Sequence, residues 1–133
     1  MDVERINPSE LARPSGFSHA VSAAASRMVF LAGQVGMDQN GEVVSGGVVA
    51  QFEQALANLL TALAAAGGQP GDLVSLTIYI VDLADYQAHG RQIGAVWRRL
   101  AGTDYPAAAG IGVTRLWGPE ALVELQGIAA VGR

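Results

Sequence analysis

A chain of 133 residues has the length of one ordinary domain and no more. Half of its residues are apolar and only 15% are charged, which excludes disorder and supplies a core with apolar surface left over for association. The formal net charge is −4 and the eight basic residues, all arginine, are thinly spread, so a nucleic-acid partner is not expected; with no cysteine, disulfides, thiolate metal sites and a cysteine nucleophile are excluded.

The opening Met1-Asp2-Val3-Glu4-Arg5 has neither the basic nor the apolar region of a signal peptide. No continuous apolar run reaches the roughly 18 residues of a bilayer span. A cytoplasmic protein with no membrane partner is the expectation.

Residues 1–16 carry Pro8, Pro14 and Gly16 and read as an extended arm or loop. Ser18 to Ala25 is a weak strand, and Arg27 to Ala32 a stronger one ended by Gly33. Asp38-Gln39-Asn40-Gly41 is a turn, because Asn-Gly supplies positive φ angles, and Val43-Val44 is a short strand or loop. From Val48 to Ala66, Phe52, Leu56, Leu59, Leu60 and Leu63 recur at helical spacing, and Gly67-Gly68 end the helix. Asp72 to Val81 alternates and is rich in β-branched residues, which predicts a strand. Asp82 to Asp85 is a polar turn that caps a second helix over Tyr86–Leu100, which Gly102-Thr103-Asp104 ends. Two final strands, Ala107–Leu116 and Leu122–Ala130, flank the Trp117-Gly118-Pro119 turn.

The order predicts an α+β domain over residues 1–133, with two helices on one face of a mixed sheet. The last two strands are apolar on both parities, so the second sheet face needs another cover, and self-association is the simplest one. The densest basic set, Arg91, Arg98 and Arg99, reads as the solvent face of the second helix. Trp97 and Trp117 read as core or interface anchors.

Familiar catalytic patterns are missing. His19 and His89 are far apart and neither has paired carboxylates at ligand spacing, so no metal site is expected, and His19 reads as a satisfied structural residue near a strand start. No dinucleotide fingerprint, P-loop or nucleophile elbow is present.

A collinear set of segments covers nearly the whole chain and is highly specific as a set. It comprises Gly16-Phe17-Ser18-His19-Ala20-Val21, Val29 to Gly36, Ala50-Gln51 through Leu59, Asp72 through Asp82, Tyr105-Pro106-Ala107, and Leu122 to Ala129. In these segments the chain resembles the RidA (YjgF) family. The resemblance implies a chorismate-mutase-like fold and a homotrimer whose sheets pack as a barrel, with small-molecule clefts between subunits. In active members those clefts hydrolyse enamine and imine intermediates, made by pyridoxal-phosphate enzymes, to ketoacids and ammonia, without a cofactor of their own. Such chemistry needs an arginine fork for the substrate carboxylate and a polar group that places water and passes a proton.

On that resemblance the family's carboxylate-binding arginine falls on Ala108, its water-placing acid on Gln126, a cleft-edge tyrosine on Ser18 and an asparagine on Gly90, while Gly33 and Gln34 are retained. The substrate-binding set is therefore Ser18, Gly33, Gln34, Tyr105, Ala108, Gly110 and Gln126. The candidate catalytic groups are Gln126 and Glu124, which share a strand face. Glu124 is either a general base or an interface residue paired with an arginine. Ala108 and Gly110 form a small, roomy opposite wall. Arg115 has the opposite strand parity to Ala108 and is expected on the other sheet face, whereas Arg13 or Arg27 of a neighbouring subunit remains open as a substitute. A less charged cleft with Gln126 as a hydrogen-bonding group suits a neutral or apolar ligand, a different small molecule, better than an amino-acid-derived anion. The rivals are a deaminase with an altered site and a structural or interaction trimer; ribonuclease activity fits the acidic charge least.

Overall fold

In the computed structural model, residues 3–132 are described. Strand β1 (Val3–Ile6) pairs antiparallel with β2 (Ala20–Ala23). The main sheet has the order β3-β6-β4-β5, from β3 (Arg27–Val35), β4 (Leu73–Ile80), β5 (Ala107–Gly112) and β6 (Val123–Val131). β4 and β5 run parallel and the other pairs antiparallel, so the sheet is mixed. Helices α1 (Gly47–Ala65), α2 (Leu83–Ala88) and α3 (Gly90–Ala101) supply the helical layer.

The helical stripe of α1 is the centre of the core. Phe52, Leu56, Leu59 and Leu63 are at most 1% exposed, and they pack with Leu76, Ile80, Val123 and Leu125 of the sheet. α1 closes where the sequence demands. Gly67 adopts φ +88°, and its N–H donates to Ala64 O at 3.0 Å while the Gly68 N–H donates to Leu63 O at 2.9 Å, a Schellman motif. α1 is also long and apolar enough on average for a bilayer span, which a search for continuous apolar runs does not reveal. Its apolar stripe is the one packed on the sheet. Gln51 adds a polar clip: buried, it donates from Nε2 to Glu120 O at 3.2 Å and accepts at Oε1 from Leu122 N at 2.8 Å.

Four boundaries differ from the sequence expectation. The expected N-terminal arm contains β1, whose pairing with β2 the prolines do not disturb because they lie outside the paired residues. β3 runs through Gly33 to Val35 by way of a bulge between Leu31 and Gln34. The second helix is two helices. Asp82 caps α2, accepting from Asp85 N at 3.0 Å, and the chain then leaves helical geometry at His89, followed by Gly90, a poor helix former. β5 stops at Gly112 and not Leu116, because β4, its ladder partner, ends at Ile80.

Register decides which side chains share a face. Leu76, Ile78 and Ile80 stand opposite Gly127, Leu125 and Val123 and belong to the helix-covered face. Thr77 and Tyr79, opposite Gln126 and Glu124, belong to the other. In a single chain that second face is open. Phe30 is 75% exposed and Met28 53%.

Candidate functional site

A cavity of about 560 Å³ opens between α3, β5 and the segment at Ser15–Phe17. The parallel pairing Leu76↔Ala108 and Ile78↔Gly110 sets Ala108 and Gly110 on the helix-covered face, where both border this cavity. Trp97 of α3 stacks on Tyr105 at 6.4 Å between centroids and 26° between planes, and both rings line the same space. Gly90 and Tyr86 lie on its helical side. Burial pushes the Tyr86 phenol up to about 12, so it stays protonated and able to donate a hydrogen bond.

The other polar candidates lie elsewhere. Glu124 and Gln126 are on the open face, so one chain does not bring them to the cavity of Ala108; the opposite wall expected from Ala108 and Gly110 is on the other side of the sheet. Gln126 accepts at Oε1 from the Tyr79 hydroxyl at 3.0 Å and borders a smaller depression with Phe30, Thr77 and Ile128. Glu124 is half-buried, has no ion pair with another described residue, and sits against Gly33 in the β3 bulge; a Cβ at position 33 would collide with its carboxylate. The Gln34 amide turns to Ala32 O at 3.5 Å, within the same bulge.

Ser18 and His19 are spent on structure. The Ser18 hydroxyl donates to Tyr105 O at 2.8 Å and its N–H to Pro106 O at 3.0 Å, which fastens the N-terminal segment to the entry of β5. His19 places Nε2 2.7 Å from Ala12 O and meets Phe17 edge-on at 5.1 Å. Arg115 lies beyond β5 and donates to Leu116 O and Trp117 O in its own loop, both at 3.1 Å. Among the described residues, no group of three or more His, Cys, Asp or Glu is assembled to hold a metal.

Arg91 and Arg98 of α3 are solvent-exposed, as read, and they also border the cavity. Only Arg99 of that basic set is engaged across the helix layer, donating to Glu53 at 2.8 Å. The signal was present in the sequence as Gly90 and Gly94, a glycine pair at i and i+4 that clears one stripe of a helix rich in arginine.

Comparison with known proteins places this geometry. Residues 8–131 match the family model described as endoribonuclease L-PSP. A crystal structure of a protein of unknown function of the conserved Rid protein family, YyfB from Yersinia pestis, superposes with a TM-score of 0.85. It is 41% identical, over 98% of this chain and 100% of that one. A RutC family protein from Pyrococcus horikoshii is 32% identical over 119 residues, 88% of this chain and 89% of the relative. The 2-iminobutanoate/2-iminopropanoate deaminase of Capra hircus is 34% identical over 108 residues, 80% and 74% respectively. A match to the family model over nearly the full length, a mixed α+β fold shared with Rid structures, and relatives of similar length establish that this chain belongs to the endoribonuclease L-PSP (RidA/YjgF) family.

Proposed function

We propose that the protein is a cytoplasmic homotrimer of this family that binds a small metabolite in clefts between subunits and is not an ordinary 2-aminoacrylate deaminase. Position 108 carries the reading. On the resemblance described above, an arginine there grips the substrate carboxylate; here a methyl group borders a 560 Å³ cavity. Losing such a contact costs about 2–5 kcal/mol, tens- to thousands-fold in affinity. The trimer is supported by the open sheet face with Phe30 and Met28, and by the placement of Ala108 and Gln126 on opposite faces. If Ala108 and Gln126 share one cleft, as the resemblance implies, they come from two copies.

The test is the hydrolysis of enzymatically generated 2-aminoacrylate, followed by semicarbazide trapping, with and without the protein. We expect no acceleration over the spontaneous rate, and Ala108→Arg to gain turnover if the rest of the cleft is competent. Acceleration by the unmodified chain would overturn the proposal in favour of deamination with a rearranged site, a reading that the name of the Capra hircus relative favours. Light scattering should give three chains per particle; a monomer would remove the intersubunit cleft.

A further inference from the structure

The cavity beside Ala108 carries cations of its own. Arg91 and Arg98, both solvent-exposed, border it two helical turns apart, and among the described residues no Asp or Glu does, in a chain whose net charge is −4. Neither guanidinium makes a hydrogen bond or ion pair with another described residue, whereas Arg5, Arg27, Arg99 and Arg115 are all engaged. Unpaired guanidinium groups beside an apolar cavity are a receptor for a carboxylate, which they grip through two parallel hydrogen bonds.

Two glycines direct them. A Cβ on Gly94 would stand 3.3 Å from Arg98 Nη1, so the guanidinium lies back over Gly94 towards the start of α3, the direction that helical side chains take. A Cβ on Gly90 would meet nothing within 4 Å, which keeps the first turn of α3 open beneath it. The partial positive charge of that helix terminus adds to the same field. Around the cations the wall is aromatic, with the Trp97–Tyr105 stack and Phe17. Trp97 Nε1 is buried without a hydrogen-bond partner, an orphan donor on a residue of the wall. The volume of 560 Å³ lies within the roughly 300–1,000 Å³ of pockets for ring-containing ligands.

We infer that this cavity takes a carboxylate with an apolar, ring-sized body, and that its anion is held from α3 by Arg98 with Arg91 and not from strand β5. The inference deepens the proposed function and rests on it, since it names the class of metabolite for the same cleft.

The experiment is titration calorimetry on the full-length protein with indole-3-acetate, its neutral analogue indole-3-acetamide, and pyruvate. The acid should bind more tightly than the amide by about tenfold or more, and pyruvate should bind weakest. Arg98→Gln and Arg91→Gln should each erase most of the preference for acid over amide while leaving amide binding intact. Gly94→Ala keeps both charges and displaces the guanidinium, so it should reduce the same preference. Arg99→Gln, at a residue paired with Glu53 and outside the cavity lining, should leave it unchanged. Equal binding of acid and amide by the unmodified protein, binding of neither, or full preference in both arginine variants would overturn the inference. Turnover in the semicarbazide assay is a separate readout, so failure of the proposed function is distinguishable from failure of this one.

Discussion

Helices α1 and α3 lie on the same side of the sheet and do different work. Every large apolar side chain on the buried stripe of α1 is lost to the core, and its polar side chains Gln51 and Asn58 are spent on fastening loops: Asn58 Nδ2 donates to Val35 O and Met37 O at 3.2 and 2.8 Å. α3 buries only Ile93, Val96, Trp97 and Ala101, and turns a second stripe of glycine and arginine to the cavity. One helix is written for packing, with Phe52 as its single side chain at the cavity. The other divides its surface between packing and recognition, so changes in the two should be read out differently, α1 in stability and α3 in binding.

The largest expected effect breaks α1. Leu59→Ala removes a fully buried side chain next to the sheet and should destabilise by about 3–5 kcal/mol in urea unfolding. Gln51→Ala leaves the Leu122 N–H and Glu120 carbonyl without their partner and should cost about 1–3 kcal/mol by the same measurement. Gly94→Ala sharpens the contrast from the other side. The new methyl meets only the mobile end of Arg98, while alanine favours the helix, so unfolding should move up by as much as about 1 kcal/mol even as carboxylate preference falls. A gain in stability with a loss of binding is the signature of a helix stripe kept open for a ligand.

Tyr86 gives the most localised test, confined to alkaline pH. It packs edge-to-face on Phe52 at 6.2 Å and joins the α1 core to the cavity. Its pKa is raised by burial from 10.0 to about 12 in the folded chain. Between those values the folded state holds a proton that the unfolded state has released, so stability should fall as pH rises from about 10 to 12. Below pH 10 both states are protonated and Tyr86 contributes no slope. Tyr86→Phe should flatten that alkaline decline; an unchanged slope between pH 10 and 12 would show that the phenol is not responsible.

How much of this was legible depends on whether the information was local. The α1 stripe, its glycine stop and the Asp82 cap are set within a few residues, and the sequence pattern carried them. β1 was not legible because its partner is distant: Val3 pairs with Ala23 across a proline-bearing stretch. The parity of Glu124 and Gln126 gave a common face, but only the β4–β6 register shows that this face is turned away from Ala108. Arg91 and Arg98 are solvent-exposed as read, but their place at the rim of a cavity was not legible, for a related reason. Period 3.6 finds the side of a helix that is apolar, and it is silent about a third side that borders a cavity.

The β3 bulge carries a consequence for substitution. Since Gly33 has no side chain, it lets the Glu124 carboxylate rest against the neighbouring strand, and substitutions at the two positions should not act independently. Gly33→Ala should evict the acid from its seat, and Glu124→Ala should empty that seat and make alanine at 33 harmless. The effects of the two changes would then be strongly sub-additive in a double-mutant cycle, with the smallest residue in the bulge acting as the orienting element for an acid on another strand.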